Sequence, residues 1–233
     1  MQHNTRLNKF IASQLFVGRR QADTLIQEGK VTINGKVPVL GAQIDPAKDK
    51  ICVNGKSLAF SSEANFVYLL LDKPIGYVCS RKQQGDAPTI FSLLPKKYQH
   101  LKPVGRLDKD SSGLLLLTND GDTSHKFIHP SFGKQKYYQV QLNKPLAPLH
   151  RQMISDYGIN LPDGPSKLIL ERQQDGNDKK WLVQMHEGRN RQIRRTFAAL
   201  GYSVTKLRRT RLGNLSLDLL DGKKMTEISK PHL

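Results

Sequence analysis

Residues Pro103 to Asp122, PVGRLDKDSSGLLLLTNDGD, constrain the fold more than any other stretch. Leu114 to Leu117 form an unbroken apolar run between a Ser-Ser-Gly break and Thr118-Asn119-Asp120-Gly121. An apolar run of this length, bounded by turn signals, reads as a strand buried on both faces. The residues after it carry turn chemistry and close it. Asp108 falls in the loop that leads into this strand, where a rigid scaffold can hold a reactive group still. A carboxylate beside Arg106 and Lys109 can remain ionised while partly desolvated. An aspartate in an arbitrary loop more often only caps a turn; here the motifs elsewhere in the chain reverse that ordinary reading.

Charge narrows the class of partner. The 233 residues carry 37 Lys and Arg against 20 Asp and Glu, a formal net charge of +17. So basic a chain expects a polyanion, either nucleic acid or an acidic membrane surface. No apolar run approaches the ~20 residues that span a bilayer, and the polar opening Met1 to Arg6 leads into no signal-peptide core. Nucleic acid is the better reading. The two cysteines, Cys52 and Cys79, fall in segments that read as different domains. Reduced thiols in a cytoplasmic protein are therefore expected, not a disulfide. The length allows one large domain or two unequal ones.

The segment 5–58 has the pattern of a small module within a first domain over residues 1–60. Leu7, Phe10 and Ile11 recur at helical spacing and leave Arg6 and Lys9 for another face. A second helix is expected from about Arg19 to Glu28, with Ala22, Leu25 and Ile26 inward and Gly29 ending it in the left-handed conformation. Val31-Thr32-Ile33 alternates as a strand before Asn34-Gly35, the strongest short hairpin signal, and Asn54-Gly55 repeats that signal after Ile51-Cys52-Val53. Arg6, Lys9, Arg19, Arg20, Lys30 and Lys36 are left as candidate phosphate contacts. Either charge cluster alone would read as a solvated face. The order of RLNKF, GRRQADTLIQEGKVTINGK and DKICVNGKSL resembles the alpha-L RNA-binding fold, which implies binding to structured RNA. Two departures are visible: Gln14-Leu15-Phe16-Val17 replaces the usual small-residue turn, and Val37-Pro38-Val39 interrupts the hairpin.

Ala59 to Asn65 is small and polar and reads as a linker into a second domain over 61–233. Phe66 to Leu71 is an apolar strand, Arg81 to Pro88 a charged and turn-rich loop, and Ile90 to Leu94 a short helix. Thr123 to His129 suggests a helix begun by Asp122 or Thr123. His125 and His129 stand one turn apart on it, but no third ligand is near enough in sequence to favour a metal. Tyr137 to Leu142 alternates as a strand, 148–157 reads as a helix and Asp163-Gly164-Pro165 as a turn. Lys167 to Glu171 and Trp181 to His186 flank a hydrophilic hairpin loop. In EGRNRQIRRTFAALGYS, Asn190 is placed to cap a helix whose stripe is Ile193, Phe197 and Leu200, with Gly201 as its stop. Arg191, Arg194 and Arg195 then share the other broad face, with Arg194 nearest the stripe, and Lys206, Arg208, Arg209 and Arg211 extend the positive surface into the next strand. Leu215 to Leu219 is read as continuing the sheet. Strands outnumber helices without regular alternation, so the fold class is α+β with a mixed, mostly antiparallel sheet.

Together GRLDKDSSGLLLLTNDG, KYYQV and EGRNRQIRR resemble the pseudouridine synthase superfamily, in the ribosomal-RNA branch that carries an alpha-L module in front of the catalytic domain. LLLDKPIGYVCS and the pattern around RRTRLGNLSL agree with it. The resemblance implies isomerisation of a flipped-out uridine in ribosomal RNA. By the same resemblance Asp108 is the catalytic aspartate, Tyr138 the residue that stacks on the uracil, and Arg194 the basic partner of the carboxylate. It makes Ile193 a wall of the base pocket, Lys136 the lysine before the tyrosine, and Arg106 a residue that reaches the RNA where the nucleotide left the stack. Arg191 stands where other branches place a histidine, and with Arg195 it is read as gripping RNA. No metal or organic cofactor is required, because the bond broken and the bond formed lie on one substrate. A cytoplasmic monomer is expected. Asp163-Gly164-Pro165 and GRNRQIRR lean toward large-subunit RNA, whereas the overall length and GYVCS look more like the small-subunit enzyme. Two other classes remain: a noncatalytic RNA-binding or ribosome-assembly factor, which an intact Asp108, Tyr138 and Arg194 disfavours, and a metal-dependent nuclease using Asp108 and Asp110, which lacks further acidic ligands.

Overall fold

The structure is a computed structural model and describes residues 4–15, 17–58 and 66–232. Phe16 and the linker expected over Ala59 to Asn65 lie outside the described residues. The chain divides into two compact units, Met1–Phe66 and Val67–Leu233.

In the first unit, strand β1 (Thr5–Arg6) leads into helices α1 (Leu7–Gln14) and α2 (Arg19–Gln27). Strands β2 (Val31–Ile33), β3 (Gln43–Ile44), β4 (Ile51–Val53) and β5 (Lys56–Leu58) follow. β1 pairs with β3, and β2-β4-β5 form a three-stranded antiparallel sheet. The apolar stripe read from the sequence is the core: Leu7, Phe10 and Ile11 of α1 pack with Ala22 and Ile26 of α2 and Val31, Ile51 and Val53 of the sheet. Leu25 is only partly buried against them. Gly29 ends α2 at φ +68, and the Lys30 amide donates to Leu25 O at 3.0 Å. Asn54-Gly55 makes a true hairpin turn between β4 and β5. Asn34-Gly35 makes the same tight turn, with Ile33 and Lys36 exchanging both backbone bonds, but its ladder stops at that one bridge and β2 takes β4 as its partner. Pro38 accounts for the difference, because it has no amide to donate to a second rung.

The second unit holds strands β6 (Tyr68–Lys73), β7 (Lys102–Pro103), β8 (Ser112–Thr118), β9 (Lys136–Leu142), β10 (Ile159–Leu161), β11 (Gly164–Ser166), β12 (Ile169–Arg172) and β13 (Lys180–Met185). β14 (Val204–Leu212), β15 (Leu215–Ser216) and β16 (Met225–Ile228) complete them. Helices α3 (Gly121–Ile128), α4 (Pro148–Gln152) and α5 (Gln192–Ala198) lie between, and α4 runs on as one widened turn over Met153–Tyr157. The main sheet has the order β12-β13-β9-β14-β8-β6-β16, with β7 on β8 and β15 on β14. Only the β14–β8 pair in it is parallel. This is the mixed, mostly antiparallel α+β fold that the sequence suggests.

β8 is the central leucine run, and its alternation serves two cores. Leu114 and Leu116 enter one cluster with Tyr68, Val104 and Phe127; Leu115 and Leu117 enter another with Leu69, Leu71 and Ile90. All four leucines are wholly buried. Asp120, not Asp122 or Thr123, caps α3: its carboxylate accepts from the Asp122 and Thr123 amides and from the Tyr68 hydroxyl at 2.7 Å. Burial works against that carboxylate, yet the bonds from Thr123, Tyr68 and Asp122 hold it below the usual carboxylate range. The widened turn after α4 breaks the regular helix expected over 148–157, and the chain beyond β15 coils into a 3-10 turn over Leu217–Leu220 instead of extending the sheet. Among the described residues no helix is long and apolar enough to cross a membrane.

The Ser-Ser-Gly break has a steric cause. Gly113 sits at φ +105 against β14, and a Cβ built there would lie 2.2 Å from the Arg209 carbonyl oxygen. Backbone cannot yield as a side chain can. Gly113→Ala is therefore expected to cost about 3 kcal/mol or more. Urea unfolding followed by the fluorescence of Trp181, itself buried, measures this; a change within ~0.5 kcal/mol, the range of an ordinary surface substitution, would contradict it.

Candidate active site

The loop from β7 to β8, Val104 to Ser111, is fixed from beneath by a buried cation. Lys73 ends β6 with no exposure, and its ammonium donates to Pro74 O at 3.1 Å, Asp108 O at 3.0 Å and Ser111 O at 2.7 Å. Burial pushes the Lys73 ammonium below the usual lysine range, opposed by the nearby Cys79, Asp108 and Asp110. The Gly76 amide donates to Lys109 O at 2.7 Å, and the Leu107 amide approaches Cys79 Sγ at 3.5 Å. The loop backbone is thus bonded on several sides while the Asp108 side chain stays one-third exposed.

That side chain opens on a cavity of about 440 Å³. Its wall includes Tyr138 from β9, Ile193 from α5, Lys136, Arg106 and Arg191. Tyr138 and Ile193 are almost fully buried, and Arg106 is exposed. Lys136 Nζ lies 3.3 Å from Glu187 O, and burial, followed by the charge of Arg209, lowers its ammonium from the usual range. Arg194 and Arg195 do not line this space.

The arginines of α5 are arranged differently from a simple helical face. Asn190 does not cap the helix: Arg191 occupies the cap position at φ +48, outside the helical turns, so helical angles do not apply to it. Its guanidinium grips Asp110 with two bonds, Nη1 to Oδ1 at 3.0 Å and Nη2 to Oδ2 at 3.1 Å. The same Nη1 stands 3.7 Å from Asp108 Oδ2. Arg194, expected to pair with Asp108, instead donates to Asp110 O at 2.8 Å and Val204 O at 2.7 Å, with Nε 3.2 Å from Asp110 Oδ2. Burial opposes ionisation of Asp110, but the Arg191 bonds and the Arg194 charge hold its carboxyl below the usual range.

Arg195 is not turned to solvent as an open phosphate donor. It takes both oxygens of Asp163, at 3.0 and 2.7 Å. Arg189 closes the same turn, donating to the carbonyls of Asp163, Gly164 and Pro165. The Asp163-Gly164-Pro165 motif is thereby tied to the start of α5. Arg209, read as part of a positive surface, is buried, and its Nε donates to Leu114 O at 2.8 Å. In the first unit Arg6, Arg19, Arg20, Lys30 and Lys36 are exposed and Lys9 is half-buried; Lys30 pairs with Glu28 at 2.8 Å.

Sequence reasoning passed over Lys73, Arg189 and the structural use of Asp110. Lys73 carried a legible signal: it shares the β6 face of Leu69 and Leu71, where a charge calls for a buried partner. Asp110 carried none, because its partners arrive from 81 and 84 residues away. Among the described residues no group of three or more His, Cys, Asp or Glu is placed to hold a metal ion.

Comparison with known proteins bears on this geometry. Residues 67–199 match the family model described as RNA pseudouridylate synthase, and residues 5–37 match the S4 domain. The chain is 37% identical to the ribosomal small subunit pseudouridine synthase A of Pasteurella multocida (strain Pm70), covering 91% of this chain and 90% of that one. It is also 37% identical to the ribosomal large subunit pseudouridine synthase B of Bacillus subtilis (strain 168), over 97% and 93% of the two chains. A solved structure titled as a pseudouridylate synthase aligns with a TM-score of 0.67 at 33% identity, covering 96% of each chain. With an S4 domain ahead of its catalytic fold, the chain belongs to the RNA pseudouridylate synthase family.

Proposed function

We propose that the protein isomerises one uridine of ribosomal RNA to pseudouridine, with Asp108 as the catalytic carboxylate. The observation that carries this reading is the Asp108 side chain opening from a pinned loop into a cavity walled by Tyr138 and Ile193. About 440 Å³ is room for a nucleoside, and a base reaches such a site only by leaving its stack. Tyr138 offers the aromatic face on which the flipped uracil rests. The N1–C1′ bond then breaks with its electron pair going to N1, the base turns, C5 joins C1′, and the proton lost from C5 is balanced by one taken up at N1. Positive charge grows on the sugar in the first step, and a carboxylate held beside it stabilises that charge or attacks covalently, at the sugar or at the base.

The arginines divide the work. Arg191 supplies positive charge beside Asp108, whereas Arg194 acts as a positioning residue that ties Asp110 to β14. Arg106 and Lys136 at the cavity wall reach the substrate, and Arg195 acts through the Asp163 turn. Arg6, Lys9, Arg19, Arg20, Lys30 and Lys36 of the S4 unit give further phosphate contacts. The reading takes a single copy of the protein, working in the cytoplasm beside its RNA. The Pasteurella relative is named for the ribosomal small subunit and the Bacillus relative for the large subunit. The Asp163-Gly164-Pro165 turn and GRNRQIRR favour the large-subunit RNA.

Single-nucleotide mapping of pseudouridine in both ribosomal RNAs, with and without the gene, tests this reading. One large-subunit site is expected to vanish and to stay absent when Asp108→Asn is supplied. An unchanged map would favour a noncatalytic assembly factor. In single-turnover assays Asp108→Asn is expected to retain RNA affinity while losing at least about a thousandfold in rate, ~4 kcal/mol of barrier; residual activity within tenfold would remove Asp108 from its role.

Exchanging the two arginines separates their roles. Arg191→Ala is expected to slow the step at saturating RNA about a hundredfold with little change in stability, and Arg191→Lys to recover only part. Arg194→Ala is expected to lower unfolding stability as well, by about 2 kcal/mol, since it frees two backbone carbonyls. Full rescue of Arg191→Ala by excess RNA would make it a plain phosphate contact.

A further inference from the structure

Next to two residues of the cavity wall, Ile128 and Pro130, lies an aromatic surface that the proposed chemistry does not use. Helix α3 ends at Ile128, and the chain turns through Pro130–Phe132 in one 3-10 turn. Ile128 and Pro130 belong to the cavity wall, so this corner is continuous with the site. Three rings cluster at this corner. His125 and His129 lie 4.8 Å apart between centroids and tilt by 32°, and Phe132 stands edge-on to them at 82° and 75°. All three residues are exposed, Phe132 at 43%, and so is the neighbouring Ile128 at 46%.

The cluster is held in place. His129 Nδ1 lies 2.7 Å from Ser131 Oγ and accepts from the Ser131 amide at 3.3 Å, and His186 Nδ1 approaches Gly133 O at 3.4 Å. The one-turn histidine spacing is therefore used in a ring cluster, with one ring nitrogen already bonded. Lys126 and Lys134 flank it, and Lys134 Nζ sits 5.9 Å from the Phe127 ring centre. Fixed, exposed rings beside cations suit one kind of occupant, a nucleobase with its phosphate nearby.

We propose that His125, His129 and Phe132 form a stacking platform for an RNA base adjacent to the target uridine. The proposal rests on the reading that the cavity takes a flipped-out uridine. Flipping removes a stacking partner from each neighbouring base, and a ring surface next to the cavity wall replaces one of them. Stacking on rings tolerates any base, so the platform adds affinity without dictating sequence. A protein docking on the same corner would not depend on that base.

The test uses the full-length protein and a ribosomal-RNA hairpin carrying the mapped uridine, intact or with an abasic residue at each position flanking it. Phe132→Ala, at an exposed position, is expected to weaken binding of the intact hairpin about tenfold, with His125→Ala/His129→Ala similar. One abasic hairpin is expected to bind wild type equally weakly and to show no further loss with Phe132→Ala, while Phe132→Trp keeps full affinity. Turnover of the intact hairpin at saturation is expected to stay within twofold of wild type. Unchanged affinity in Phe132→Ala, or an equal loss on every hairpin, abasic ones included, overturns the platform. Absence of turnover in the wild type would count against the uridine reading, and the binding comparison would still decide the platform.

Discussion

A single buried ammonium carries the geometry of the cavity. Lys73 has left water entirely, a transfer that costs several kcal/mol unless each of its protons finds an acceptor. Three carbonyls supply them, two from the loop that bears Asp108. The need to satisfy that charge thereby becomes a constraint on the loop, which cannot move away from β6 without stranding it. Asp108 gains a fixed origin without giving up its own side chain, which remains open to the cavity.

From that origin the site is closed by ion pairs at the start of α5. Asp110, two residues after Asp108, gathers two guanidinium groups, and one of these also anchors to β14 through Val204 O. Asp163 gathers two more from the other side. Each partly exposed pair alone contributes little in water. Bidentate and sharing partners, they act as a network that sets the approach of α5, and with it Ile193, to the cavity.

Much of this fold is legible from periodicity alone. The leucine run of β8, the helical stripe of α1, the alternation of β9 and the glycine stops after α2 and α5 each follow from local rules that the tertiary structure leaves intact. What local rules miss is partnership across long separations. Nothing near Asp110 signals that arginines 81 and 84 residues on will claim it. Arg191 eluded the helical wheel because one left-handed residue takes it off the helix. Pro38 cut short a hairpin that Asn34-Gly35 promised. Arg209 looked like surface charge because strand alternation does not say which face is covered. Asp108, Tyr138 and Ile193 at the cavity wall lie in recognisable motifs; their mutual contacts were not legible.

The parallel pairing of β8 with β14 has a consequence for how the molecule is made. β14 lies between β9 and β8 in the sheet, yet it is the last of the three to leave the ribosome. Until Leu212 has been synthesised, the strand that bears Tyr138 and the strand that the Asp108 loop leads into have no complete common neighbour, however well each has folded with earlier partners. The antiparallel β6–β8 pair can form on the nascent chain, but the cavity is assembled only by a late insertion of high sequence separation, the slow class of folding event. A chain stalled before β14 lacks Leu207, Arg209 and Leu212 of the cavity wall, so the cavity belongs to the finished sheet and not to any earlier part of it.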